Sequence, residues 1–505
     1  MFSRRRFLKT LGALAVSSCA HGQARFASYP FTLGVASGYP TPGGVVLWTR
    51  LTGDLAPLSI PLRWEIFADE ALRTPVLSGD EIARPEWAHC VHVDVQGLEP
   101  GRWYWYRFRA GDAQSPVGRT RTAPPARAPV AALRFAFASC QQYEQGYFGA
   151  YRHIVGDAPD LLAFLGDYIY ESSWGKEHVR SHASPEPYTL EQYRARHALY
   201  RSDPDLQAAH AACPWIVTWD DHEVDNDYAD DRSEDGMERI EFLQRRAAAY
   251  RAYYEHMPLP PRMRPEGPLM RIHTHLDWGT LARFYVLDDR QYRSWHACPR
   301  QGRRGGSNTI DIEQCARLSR PGRSMLGRVQ ERWLEHELGE SRAAWNLVAQ
   351  QTRMAQFDFK PGAGRRAWTD GWDGYPAARQ RLLDSFLNRK TSNPVVLGGD
   401  VHTFHASQLK LDFDDPASPV VASEFVTTSI TSQSWEQERL NQYLPDNPHV
   451  ILADSRFRGY ARVEVSPNQF RIDLRAMQSV QQRDAACSTL ASFIVENGKP
   501  GPLKA

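Results

Sequence analysis

The chain has 505 residues, 42% of them hydrophobic and 24% charged. This is an ordinary globular mixture, and the length is too great for one core, so two or more domains are expected. Sixty basic residues against 59 acidic ones leave a formal charge of +1, which excludes bulk attraction to nucleic acid or acidic membranes and makes any anion site local.

In chain order, Ser3-Arg4-Arg5-Arg6-Phe7-Leu8-Lys9 precedes an apolar stretch from Leu11 to Val16. A basic region before a short apolar segment is an export signal, too short to span a bilayer. The paired arginines fit the twin-arginine pattern, so residues 1–27 are expected to address a folded chain to the twin-arginine translocase. The expected location is periplasmic or secreted. Val16-Ser17-Ser18-Cys19 also fits a lipoprotein cleavage box, with a lipid anchor at Cys19; simple cleavage near Ala24 or Ala27 is the alternative.

Residues 28–122 carry short alternating runs such as "GGVVLWTRL", "VHVDVQGL" and "RWYWYRFRA", separated by Gly and Pro. They predict a small β-sandwich, and Leu98-Glu99-Pro100-Gly101 suits the turn of a fibronectin-type module. Alternation in a sandwich strand accounts for Trp103 to Tyr106 better than sugar stacking does. The Pro/Ala-rich residues 123–132 read as a linker.

From 133 to 480, buried-strand runs alternate with helical ones. "LRFAFAS", "PDLLAFLGD", "PWIVTWDD", "ARFYVLDD", "AWNLVAQQ" and "NPVVLGGD" predict strands. "YTLEQYRARHALYRSD", "MERIEFLQRRAAAYRAYYEHM", "LGRVQERWLEHEL" and "AARQRLLDSFLNRK" predict helices, so this domain is a layered α/β structure. The arginine-rich "RQGRRGGS", Arg300 to Ser307, reads as a mobile solvated loop before a polyanion site. Cys298 and Cys315 flank it and are placed to close it in an oxidising compartment. A hairpin is expected around Ser466-Pro467-Asn468, and residues 481–505 are left as a C-terminal tail.

Five of the buried runs end in polar residues: Cys140; Asp167 with Tyr170; Asp220-Asp221-His222-Glu223; Asp288-Asp289-Arg290; and Asp400 with His402. Alone, each has a structural explanation as a turn former, a helix cap or a small buried side chain. Together they suggest one site, because ligands bind beyond the carboxyl ends of such strands and crowded carboxylates need cations.

"GDYIY", "WDDHE" and "GGDVH" resemble a variant of the calcineurin-like metallophosphoesterase pattern. With Cys140 at the first strand end, "WDDHEVDN", "LDDRQYRS", "WDGYPAARQRLL" and "EFVTTSIT", the chain is similar to the alkaline phosphatase D family over about residues 28–480. The resemblance implies a four-layer αββα metallophosphoesterase-type sandwich preceded by the small all-β domain. It implies one metal on Cys140, Asp167, Tyr170 and His402, and a second on Asp167, Asp221 and Asp400. Thiolate, phenolate and imidazole suit Fe3+, and carboxylates suit Ca2+; a further Ca2+ is placed near Asn226. Two such cations can clamp a phosphoryl group and activate a water. His222 is expected to touch the phosphate or protonate the leaving oxygen. Arg290 is either a phosphate clamp or the salt-bridge partner of a neighbouring Asp, and His405 turns away or supports the ligands.

The expected activity is therefore hydrolysis of small-molecule or polymeric phosphate esters, monoesters or diesters, with no nucleic-acid specificity. The rival is a non-catalytic, metal-stabilised protein that binds cell-surface polymer.

Overall fold

The apolar runs between residues 133 and 426 are short, β-rich and flanked by turn residues, and they form buried strands. In the computed structural model, which describes residues 25–505 apart from Ala56, these strands divide between two sheets. The twin-arginine motif and Cys19 lie outside the described residues. Leu133–Ala138, Leu161–Leu165 and Trp215–Thr218 run parallel at the centre of a ten-stranded sheet. Ala282–Val286, Trp345–Ala349, Pro394–Gly398 and Val420–Val426 run parallel in a seven-stranded one.

The two-residue period of a strand decides which side chains meet. Phe284 faces the ten-stranded sheet and packs edge-on to Phe135, ring centroids 5.2 Å apart. Its neighbour Tyr285 points the other way, into a cluster with Leu334 and Leu338 of helix Gly327–Glu340 and Phe386 of helix Pro376–Asn388. On the ten-stranded sheet, Trp215 packs against Tyr151 of helix Ala150–Gly156 and donates to the Ala209 carbonyl of helix Pro204–Ala212. Helix Leu190–Arg201 starts at a capping box made by Thr189 and Gln192. The result is the αββα sandwich, with an N-terminal all-β unit attached.

Two expected boundaries change. The N-terminal sandwich does not stand apart: Val35–Thr41, Gly44–Arg50 and Cys90–Gln96 continue the ten-stranded sheet, with Gly38 paired to Trp215. Only its second sheet, built on Pro75–Ala83, Ile60–Phe67 and Trp103–Ala110, belongs to it alone. The linker is pinned as well, since the Ala128 carbonyl accepts the Thr280 amide at 3.0 Å. At the other end, the expected tail forms strands Cys487–Glu496 and Lys499–Lys504 beside the predicted hairpin, Arg458–Val465 with Gln469–Met477. Cys298 and Cys315 are disulfide-bonded; Cys90, Cys140, Cys213 and Cys487 are free.

Candidate metal centre and active site

Both sheets deliver strand ends to one rim. A parallel bridge joins Ser139 to Ser429. A Cβ at Gly399 would lie 2.3 Å from the Ser139 Oγ, so a residue without a side chain is needed where the two sheets approach. The backbone turns hard at this rim: Cys140, Asp167, Asp400 and His402 have φ of 59°, 58°, 64° and 54°. Left-handed backbone at non-glycine residues costs of order 1–3 kcal/mol each and concentrates at functional sites.

The side chains converge. Donor atoms of Cys140, Asp167 and His402 lie within 4.8 Å of one another; so do those of Asp167, Asp221 and His222, and those of Asp220, Asp221 and Asp400. The Tyr170 hydroxyl donates to Asp167 Oδ2 at 2.8 Å and lies 3.1 Å from His402 Nε2. A thiol, phenol and imidazole therefore stand on one side of Asp167, and carboxylates on the other. His402 donates its Nδ1–H to the Gln433 carbonyl at 2.7 Å, which leaves the Nε2 lone pair facing Asp167 and Tyr170. Trp174 stacks on the His402 ring.

The donor set suits metal ions. Asp167 Oδ1, Asp220 Oδ2 and Asp221 Oδ1 are buried without a hydrogen-bond partner. Burial and the neighbouring carboxylates, outweighing Arg290, push Asp220 and Asp400 well above the usual carboxylate range. Burial and the Asp167 charge likewise push up the Cys140 thiol and the Tyr170 phenol. Oxygen and sulfur atoms that cannot all ionise together are what cations would relieve.

A cavity of about 540 Å3 opens over this rim, lined by Asp167, Asp221, His222, Asp400 and His402 among others. His222 Nδ1 bonds Glu171 Oε2 at 2.7 Å. Burial opposes its charge, but Glu171, Asp221 and Asp167 outweigh burial and hold the imidazole well above its ordinary range. Asn226 lines the same cavity and donates its side-chain amide to Glu234 at 2.8 Å. Nearby Glu171, Glu186 and Asp225 form a further group of donors, of which Glu186 and Asp225 also pair with Arg245. His405 stands in the cavity wall edge-on to Phe357 and belongs to none of the donor groups.

Arg290 does not line the cavity. It is fully buried beneath the rim, paired with Asp220 and, at 2.7 Å, with Asp370, and 3.3 Å from Asp221. The salt-bridge alternative describes its geometry. Asp288 is engaged in structure, accepting from Trp219 Nε1 and from the Arg290 and Gln291 amides.

Three residues matter to which sequence analysis assigns no role of their own. Glu223 accepts the backbone amides of Asp167, Tyr168 and Asp220 and so holds two strand ends in register. It lies inside "WDDHE", but nothing in the motif separates a backbone brace from a ligand. Glu171 orients His222. Arg353 is the one cationic lysine or arginine lining the cavity; it stacks 4.3 Å over Phe357, and its buried Nε has no hydrogen-bond partner. No motif surrounds it.

With this geometry in place, likeness to known proteins becomes decisive. The PhoD-like phosphatase model matches residues 135–474, and the PhoD-like phosphatase N-terminal domain model matches residues 16–124. This chain belongs to the PhoD-like phosphatase family. It is 44% identical to alkaline phosphatase D of Bacillus subtilis (strain 168) over 100% of this chain and 89% of that protein. A solved structure, "Structure of PhoD", superposes with a TM-score of 0.90 at 45% identity, covering 95% of this chain and 93% of that one. As a PhoD-like phosphatase the chain is a phosphoric ester hydrolase, and the non-catalytic polymer-binding reading is set aside.

Proposed function

We propose that this phosphatase is metal-dependent, with Fe3+ on Cys140, Asp167, Tyr170 and His402, and Ca2+ on Asp167, Asp221 and Asp400. A further Ca2+ is assigned to the neighbourhood of Asn226. The observation that carries the reading is Asp167, the one residue common to the group with Cys140 and His402 and to the group with Asp221 and His222. The metal pair would supply charge to clamp the phosphoryl oxygens and to lower the pKa of a bound water.

The chain's own residues do the rest. Glu171 fixes the His222 ring and keeps its proton available at the cavity wall, so His222 is the group to protonate the departing alcohol oxygen. Arg353 offers a guanidinium to the phosphate oxygens, one of the two roles open to Arg290 in sequence analysis. Arg290 acts from below, offsetting the charge of Asp220, Asp221 and Asp370. The surrounding wall of Phe357, Phe359 and Trp435 limits water and offers apolar contact to the ester's organic part.

The basic Ser3–Lys9 segment supports export through the twin-arginine translocase to the periplasm or beyond, and Cys19 is the candidate for lipid attachment. The Cys298–Cys315 disulfide fits an oxidising compartment. Among the described residues no helix is long and apolar enough to cross a membrane.

The test is turnover of p-nitrophenyl phosphate and bis-p-nitrophenyl phosphate with and without chelator, alongside elemental analysis of the exported protein. Metal dependence requires chelator to abolish turnover. Fe3+ on Tyr170 and Cys140 requires a coloured protein, and an active, colourless, iron-free preparation refutes that assignment. His222→Ala should lower turnover by about a hundredfold or more at unchanged metal content; equal loss of metal would make His222 a ligand.

A further inference from the structure

A second concavity has a volume of about 730 Å3. One stretch of chain walls both: Asp227, Glu234 and Asp235 line the active-site cavity, while Asp230 and Arg232 line the groove.

The two spaces differ in sign. Nine carboxylate side chains line the active-site cavity against Arg353. Six arginines line the groove against the single carboxylate of Asp230. Arg293 is committed to Asp370, and Arg304 pairs with Glu238. The other four, Arg232, Arg317, Arg320 and Arg323, form no ion pair within 4.0 Å among the described residues. Arg232 lies 3.2 Å over the exposed Trp295 ring, and Arg323 is oriented by the Trp295 and Gly374 carbonyls. Arg317 and Arg320 project into solvent just beyond the disulfide.

The arginine-rich run expected to be a free loop is fastened to the common wall. Arg303 pairs with Glu234 at 3.2 Å, and the Ser307 amide donates to Asp227 Oδ2 at 3.1 Å. A Cβ at Gly305 would lie 2.3 Å from the Ser233 carbonyl, so glycine is what permits this close seating. The disulfide closes the loop's base.

A linear polyanion whose scissile phosphate sat over the rim would meet carboxylates on most of the cavity wall. Its remaining charges need somewhere else to go, and the groove across the shared wall offers unpaired guanidinium groups in a concave channel. We propose that this groove binds the neighbouring phosphates of a polymeric phosphate ester held at the active site. The proposal rests on phosphate esters being cleaved at the metal-binding rim, and adds that the protein favours esters carrying several phosphates. An anionic lipid surface is the competing occupant; the concavity and the shared wall favour a chain over a plane.

The experiment uses the full-length metallated protein and Arg317→Ala/Arg320→Ala, two exposed side chains outside the catalytic machinery. The probe is poly(ethylene phosphate), with its dimer as control, each tested as an inhibitor of p-nitrophenyl phosphate hydrolysis, so that the reading does not depend on whether the polymer is cut. The wild type should bind the polymer more tightly than the dimer, with affinity falling as salt rises. The double variant should keep p-nitrophenyl phosphate kinetics and dimer inhibition within twofold. It should raise the polymer inhibition constant about tenfold and reduce the slope of log affinity against log salt by about 1.4, at about 0.7 per lost contact to a flexible single chain. An unchanged polymer constant overturns the proposal. So does loss of binding to phosphatidylglycerol vesicles with polymer inhibition intact, which would assign the arginines to a membrane. Failure of the wild type to hydrolyse any ester would instead overturn the reading of the rim on which the groove depends.

Discussion

Two buried regions of this molecule carry opposite kinds of charge and resolve it in opposite ways. At the rim, Asp167, Asp220, Asp221 and Asp400 crowd together with oxygens left unpaired. At the seam, where the N-terminal strands join the catalytic domain, the crowding is of bases. Arg50 meets His256, the His197 and His256 rings stack 5.0 Å apart, and Arg201 lies 4.4 Å over Trp48. The seam lowers its charge internally: burial first, then the arginines, hold His197 at about 3 and His256 well below the ordinary imidazole range, so both are neutral. The rim has Arg290 beneath it and His222 and Arg353 above it, and its unpaired oxygens suit cations from outside. A buried excess of bases with titratable imidazoles can be a structural element, whereas a buried excess of acids with unpaired oxygens is a binding site waiting for its counter-charge.

The largest way to break this contrast is Asp167→Asn. Removing the shared carboxylate should cost turnover more than about a hundredfold, since even outer partners of metal ligands approach that loss. Thermal unfolding of the metal-stripped protein should fall as well, because burial is outweighed by His222, His402 and the Tyr170 hydroxyl, which hold the Asp167 carboxyl below its ordinary range. A variant that keeps activity would show that Asp167 does not join the two halves. Next is Arg290→Met, which strands Asp220 while Asp370 keeps Arg293 and His296, and should cost about 3–5 kcal/mol in urea unfolding. Full stability with lost activity would return Arg290 to the role of phosphate clamp.

A smaller effect comes from the seam in acid. The histidines there are bases whose folded values lie below the unfolded 6.5. Their neutral burial contributes fully above pH 6.5 and is lost as pH falls toward about 3. Below pH 6.5 the His197 contribution should drop by about 1.4 kcal/mol per pH unit, and His197→Gln should flatten that slope in urea midpoints between pH 7 and 4.5. Smallest is Tyr39→Phe. Its hydroxyl donates to the Val217 carbonyl at 2.7 Å across the seam; the loss should be about 1 kcal/mol, with turnover unchanged.

The strands of both sheets were legible because fully buried parallel strands read as short continuous apolar runs, and the candidate ligands were legible because they follow those runs directly. What could not be read was pairing between distant segments. Nothing local in "VASGYPT" says that Gly38 will pair with Trp215 and carry the catalytic sheet into the N-terminal domain. Cys487–Glu496 alternates weakly, "CSTLASFIVE", because its sheet is partly exposed there, and it passed for a tail. For Arg290 a phosphate clamp and a salt bridge could not be told apart, because one partner, Asp370, lies 80 residues further on. Arg353 gave no signal at all, since a lone arginine after a strand is ordinary until a cavity forms around it.

The strand that ends in Cys140 illustrates a constraint on assembly. Leu133–Ala138 has Leu161–Leu165 on one side, but its other neighbour is Arg458–Val465, with Phe137 opposite Ala461. During synthesis that edge stays bare until nearly the whole catalytic domain has left the ribosome. A chain halted early would therefore present an open sheet edge next to its thiol, so the proposed metal centre can be completed only on a nearly full-length polypeptide.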